Sequence, residues 1–156
     1  MKQRILIAQA LLNDPKILIL DEPTAGLDPK ERVRIRNFIS KIALDKIVIL
    51  ATHVVSDIEY IAKELIFLKK GRLILQGAPT EIIRQYNDKV WQMHVTADEL
   101  DNIQNDYMVS SIIGEQNGQV CVKIVADTAP PEHSCTLAPT TLEDVYLYLF
   151  DEKRGE

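Results

Sequence analysis

Two cysteines, Cys121 and Cys135, stand in 156 residues, too few for a disulfide framework or a metal-ligand cluster. No apolar run approaches the roughly 20 residues that cross a bilayer; Ile47 to Ala51 is typical of the unbroken stretches. There is no internal repeat and no low-complexity tract. Met1-Lys2-Gln3-Arg4 leads into a helix-like pattern without a small-residue cleavage site, so no secretory signal is expected. What is present is ordinary. Hydrophobic residues make up 46 % and charged residues 26 %, which excludes global disorder. A soluble, cytosolic protein of one domain, or one domain with a small appendage, is the expectation.

The net charge of −5 conceals an asymmetry. Residues 1–78 carry 13 basic against 9 acidic side chains, and residues 79–156 carry 5 against 14. Such a swing points to two units with different surfaces. The stripe Lys30, Arg32, Arg34, Arg36 reads as a solvated helix face, and no nucleic-acid partner is expected.

Residues 3–13 read as an amphipathic helix with Ile5, Leu6, Ala8, Gln9 and Leu12 on one face, ended by Asn13-Asp14-Pro15. Ile17 to Leu20 and Ile47 to Ala51 are short all-apolar runs, as in strands of a parallel sheet buried on both faces. Between them Lys30 to Ala43 has surface-helix periodicity, with Asp28 as N-cap and Pro29 in the first turn. Ser56 to Lys63 suggests a short helix capped by Ser56, with Glu59 at the capping-box spacing. Two strand-like runs flank Lys70-Gly71, a hairpin turn, and Pro79 to Tyr86 is a further short helix. The alternation of strand and helix predicts an α/β fold.

Beyond Asn87-Asp88 the pattern changes. Lys89 to Thr96, Val109 to Gly114 and Gln119 to Val125 alternate as half-exposed strands do, with Asn117-Gly118 as a hairpin signal. Trp91, Met93 and Val95 form a core face, His94 points to the exposed one, and Cys135 falls in a loop. Leu142 to Phe150 is helical and Asp151 to Glu156 a frayed end. The expected division is 1–88, an α/β region, and 89–156, a small α+β accessory domain.

The chemistry concentrates at two strand ends. Ligands of open α/β sheets bind beyond the C-terminal ends of strands. Ile17 to Leu20 ends in Asp21-Glu22, where one carboxylate can hold hydrated Mg²⁺ and the other can act on water as a general base. Ile47 to Ala51 ends in Thr52-His53, which brings an imidazole to the same edge.

Together, Ile17-Leu18-Ile19-Leu20-Asp21-Glu22-Pro23-Thr24 and Ala25-Gly26-Leu27-Asp28-Pro29 resemble the Walker B motif and D-loop of ABC-type ATPases. Thr52-His53 resembles their switch histidine. Gly71 to Glu81 is similar to the strand-turn-helix that closes their ATPase domain, and Met1-Lys2-Gln3-Arg4 to the residues after the signature glycines. The resemblance covers residues 1 to about 85 and is specific, since four motifs occur in the family's order. It implies the C-terminal part of a P-loop-type ATPase domain with a mostly parallel sheet, using ATP and Mg²⁺. It further implies that Asp21 positions Mg²⁺ through water, Glu22 is the catalytic carboxylate and His53 contacts the γ-phosphate. Asp28 and its loop would meet a second ATPase subunit, because the family hydrolyses ATP at a dimer interface. A transmembrane permease would be the other partner, holding the protein at the inner face of the cell membrane.

The phosphate-cradling pattern G-x-x-x-x-G-K-[ST] occurs nowhere in the sequence. The resemblance also implies that the Q-loop glutamine and signature glycines precede Met1. The chain is expected to be truncated and inactive alone. Residues 136–150 look like the tail of ABC-2-type and related exporters, which favours export. The alternatives are a soluble ABC-type ATPase of DNA repair or chromosome maintenance, which shares the Asp-Glu strand and histidine, and a non-catalytic dimerisation or regulatory fragment.

Overall fold

The computed structural model describes residues 2–116 and 118–150. Asn117 of the expected hairpin signal and the acidic stretch 151–156 lie outside the described residues. The chain divides into two compact units, residues 1–62 and 63–156. Among the described residues no helix is long and apolar enough to cross a membrane.

The first unit is a strand–helix–strand crossover preceded by a helix. Helix α1 (Lys2–Leu11) leads to β1 (Ile17–Asp21), α2 (Pro29–Ile42), β2 (Ile47–Ala51) and α3 (Val55–Ile61). β1 and β2 pair in parallel, in register from Ile17 opposite Ile47 to Asp21 opposite Ala51. The cap of α2 forms as its sequence indicates. Asp28 is extended, its carboxylate accepts the Glu31 N–H at 3.0 Å, and Pro29 opens the helix. A proline has no N–H to leave unsatisfied at that position.

The core of this unit gathers Ile7, Leu18, Leu20, Ile35 and Ile39, with Leu11, Ile42, Val48 and Leu50 packed against them. Three expectations are corrected here. The buried side of α1 is Ile7 with Leu11, whereas Ile5, Leu6 and Leu12 are exposed. Apolar residues surround most of this short helix, so periodicity alone does not select the face that meets β1. Secondly, α3 starts at Val55 with Val54 as its N-cap and no side-chain cap. Ser56 lies inside the helix, and the Val54 N–H is instead accepted by the Thr52 hydroxyl at 3.0 Å. Thirdly, the strand pair is covered on one face only. Leu18 and Leu20 are buried, but Ile17, Ile19, Ile47 and Ile49 are each more than half exposed.

The second unit opens with an antiparallel hairpin, β3 (Leu65–Lys69) and β4 (Arg72–Gly77). Lys70 and Gly71 both have positive φ, 50° and 75°, the twist that matches a two-residue hairpin. Helix α4 (Pro79–Gln85) follows. Next come β5 (Val90–Thr96), a 3-10 turn (Ala97–Glu99), α5 (Leu100–Asp106), β6 (Met108–Gly114), β7 (Gln119–Val125), β8 (Cys135–Leu137) and α6 (Leu142–Phe150). The last four strands form an antiparallel sheet in the order β6-β7-β5-β8. Its buried side carries Met93, Val95, Val122 and Ile124, closed by Ile103 of α5, so the expected Met93–Val95 core face is observed. Cys135, expected in a loop, begins the edge strand β8 opposite Met93. Three residues between prolines are too few to show an alternating pattern.

Helix α6 is fixed by a buried carboxylate. Asp144 accepts the Thr141 N–H at 2.8 Å and hydroxyl at 2.7 Å, and Lys123 of β7 donates to it at 2.7 Å. Burial alone would raise this carboxyl; the Lys123 and Thr141 bonds outweigh it and hold the pKa below 3.8. The Tyr86 ring meets Tyr148 edge-on at 5.2 Å, and Lys69 Nζ donates to the Leu149 carbonyl, so α4 and the hairpin are tied to α6.

Two outcomes are expected. Ile19→Thr with Ile49→Thr should lower the binding of an apolar fluorescent dye at least about twofold, and should change stability by only about 0.5 kcal/mol, since both side chains are already exposed. Because the folded pKa of Asp144 is depressed, its stabilisation is complete above the unfolded value and is lost as pH falls through the folded one. Asp144→Ala should cost about 3 kcal/mol at neutral pH, as it leaves Lys123 unpaired, and should flatten the acid limb of a denaturation series below pH 3.8.

Candidate functional site

The parallel register sets the site. Pairing Asp21 with Ala51 makes the next residues, Glu22 and Thr52, leave the two strands side by side. The Glu22 N–H extends the ladder by one bond to the Ala51 carbonyl at 2.8 Å. Glu22 itself has φ of 46°, the left-handed region, which costs a non-glycine residue about 1 kcal/mol. The turn beyond it closes through Ala25 N–H to the Glu22 carbonyl, at 3.2 Å, and Gly26 supplies φ of 68°. Gln3 of α1 donates its side-chain amide to the same Glu22 carbonyl at 3.4 Å.

Both carboxylate oxygens of Glu22 are engaged by the exit of β2. Oε2 accepts the Thr52 hydroxyl at 2.9 Å. Oε1 accepts the His53 backbone N–H at 2.9 Å and meets His53 Nδ1 at 2.6 Å. Desolvation pushes the Glu22 carboxyl up, but the bonds from the His53 ring, the Thr52 hydroxyl and the His53 N–H prevail and hold its pKa below 4.5. The group is therefore ionised near neutrality. The His53 ring is 77 % exposed and open to a ligand from solvent.

The structure thus joins Glu22 to His53 directly, across 31 positions in the chain. Asp21 is exposed at the same strand end, on the side of β1 opposite Leu18 and Leu20. Asp28 stands apart: its carboxylate caps α2, and among the described residues no hydrogen bond or ion pair joins it to Glu22 or His53.

Sequence reasoning missed two supports of the site. Thr52 stands in the sequence only as the neighbour of His53, yet its hydroxyl both donates to Glu22 and accepts from the Val54 N–H. Asp57, at the start of α3, is buried and takes Arg32 at 3.2 Å and Arg36 at 3.3 Å. The basic stripe is therefore not a uniformly solvated face, because two of its members lock α3, just after His53, onto α2. An Arg pair four apart that faces a lone carboxylate two dozen residues on was the available signal.

The structure thus sets a carboxylate pair at the end of one parallel strand beside an imidazole delivered by the neighbouring strand. The comparisons give this arrangement a family. The family model described as ABC transporter matches residues 1–25. The Nod factor export ATP-binding protein I of Cupriavidus pinatubonensis is 34 % identical over 96 % of this chain and 48 % of its own length. An uncharacterized ABC transporter ATP-binding protein of Bacillus subtilis, YhcH, is 35 % identical over 83 % of this chain and 42 % of its own. The energy-coupling factor transporter ATP-binding protein EcfA2 of Staphylococcus saprophyticus is 37 % identical over 67 % of this chain and 37 % of its own. The chain belongs to the ABC transporter ATP-binding proteins, and it spans about half the length, or less, of these relatives.

The carboxylate bonds carry a test. In a carbon-detected NMR titration, Glu22 should titrate below 4.5, and Thr52→Ala or His53→Ala should each move it upward. With a depressed folded pKa, the stabilisation from this contact is present above the unfolded pKa and lost as pH falls through the folded one. A Glu22 titration unchanged in both variants would remove the bonds as its cause.

Proposed function

We propose that the chain contributes the water-activating edge of an ATP-hydrolysing subunit of an ABC transporter. The observation that carries this reading is the ionised Glu22 carboxylate held by Thr52 and His53 at the end of a parallel strand pair. Relatives named for transport support it, and they favour it over a DNA-repair or chromosome-maintenance ATPase. The Nod factor export relatives support the export direction.

The residues fit one side of the chemistry. Asp21, a hard oxygen donor exposed at the strand end, suits a hydrated Mg²⁺ and would hold it through water. When bound, Mg²⁺ supplies charge neutralisation to the nucleotide phosphates. Glu22, ionised and unable to turn away from Thr52 and His53, would orient an attacking water and accept its proton. His53 faces Glu22 through Nδ1, which leaves Nε2 toward solvent for a phosphate oxygen. Donating at both nitrogens requires the imidazolium form. Asp28 fixes the start of α2, and so the loop that would meet a second subunit. A permease would be the membrane partner. The fit ends at the phosphates: no G-x-x-x-x-G-K-[ST] pattern lies in the 156 residues, so the backbone cradle must come from elsewhere. We retain residues 1–88 as the ATPase-related region, with 89–156 accessory to it. Relatives 43 % identical over 84 and 86 residues support a region of that length.

Titration of Mg-ATP into this chain alone should give no micromolar binding. A hybrid in which the chain replaces the matching part of the Cupriavidus relative should hydrolyse ATP, and Glu22→Gln should slow it by about 100-fold or more while nucleotide binding persists. Specific micromolar binding by the chain alone, or full turnover with Glu22→Gln, would overturn the reading.

A further inference from the structure

The outer face of the four-stranded sheet brings together three side chains that the sequence keeps apart. His94 of β5 and Cys121 of β7 are direct cross-strand partners. Glu115 follows β6, and its N–H bonds to the Gln119 carbonyl at 2.9 Å, which sets it opposite Gln119. Residues two apart on a strand share a face, so Glu115 lies on the same side as Cys121. The three thus come from β5, from β7 and from the residue just after β6, side by side across the sheet. His94 Nδ1 lies 3.1 Å from Glu115 Oε1, and the ligating atoms of all three side chains fall within 4.8 Å of one another.

The geometry points to a binding site for a borderline divalent cation of the zinc class, with His94, Glu115 and Cys121 as its ligands. The donor set decides the class. Sulfur and imidazole nitrogen with one carboxylate suit Zn²⁺ and its neighbours and do not suit Mg²⁺ or Ca²⁺. Ligand atoms about 2.0–2.3 Å from a tetrahedral ion stand roughly 3.3–3.8 Å from each other, so closing the present arrangement takes side-chain rotations of about 1 Å. The base is rigid, because the reverse face of these strands holds Met93 and Val122, both fully buried. The site is open from above: the His94 side chain is 48 % and that of Glu115 31 % exposed. Three protein ligands leave the fourth position to water. Ligation takes the Cys121 thiolate, its proton passing to the buffer, and two anionic ligands balance the ion's charge.

The isolation of Cys121 and Cys135 in sequence argued against a metal-ligand cluster, but sheet register supplies the partners that spacing does not. An ion here would tie β5, β6 and β7 at one end, adding a metal-dependent term to the stability of residues 63–156.

Cobalt(II) is the probe, because a thiolate bound to it gives a near-ultraviolet charge-transfer band. With the full chain, that band should rise to saturation at one equivalent and be displaced by Zn²⁺. Cys121→Ser should abolish it and Cys135→Ser should leave it. Losing even an outer-sphere partner costs about 10–100-fold in metal affinity, so His94→Ala should weaken binding at least about tenfold. Circular dichroism checks the fold of each variant, and His94→Gln replaces His94→Ala if the latter does not fold. The inference fails if no band appears, if Cys135→Ser removes it, or if the His94 variants bind as the parent does.

Discussion

Five parallel pairs, from Ile17–Ile47 to Asp21–Ala51, are the constraint on which the first unit depends. Parallel strands require a crossover, and α2, capped by Asp28 and started by Pro29, provides it. Its Ile35 and Ile39 then bury Leu18 and Leu20. The same register sets the candidate site. A slip of one residue would turn every side chain to the other face and would part Glu22 from Thr52 and His53. Packing of the apolar side and positioning of the carboxylate are thus one requirement met by one ladder.

The second unit solves a different problem. Its sheet is antiparallel, with β6 and β7 as consecutive neighbours and β5 set between β7 and β8 by longer connections, and Met93, Val95, Val122 and Ile124 alternate with outward residues. A buried ion pair, Lys123 with Asp144, joins the sheet to α6. The Asp144 carboxylate also satisfies the start of that helix, so desolvating it is offset by three bonds rather than one. Lys69, through the Leu149 carbonyl, and Phe67, whose ring centre lies 6.4 Å from that of Phe150, reach α6 from the hairpin, which accounts for the hairpin sharing a compact unit with the C-terminal residues.

Local signals were legible in the sequence where the physics is local. Asp28-Pro29, Lys70-Gly71 and the runs Ile17–Leu20 and Ile47–Ala51 became the elements their composition indicates, and the pairing of Glu22 with His53 followed from two strand ends at one edge. What was not legible depends on partners distant in the chain. The buried side of α1 is chosen by β1, the role of Thr52 by a carboxylate 30 positions away, and the edge strand Cys135–Leu137 by β5. Burial of both faces of β1 and β2 was expected from their unbroken apolar runs. A run records what a strand is suited to, whereas burial also needs a second layer, and here Ile19 and Ile49 have none above them.

The left-handed backbone at Glu22 has a consequence for how substitutions there would be ranked. Glycine adopts that conformation freely, so Glu22→Gly would relieve the local strain while deleting the carboxylate. The torsion and the side-chain contacts therefore pull in opposite directions at this one position. The stability of Glu22→Gly is the difference between the two effects, and Glu22→Ala, which loses the same contacts but keeps the torsional cost, separates them.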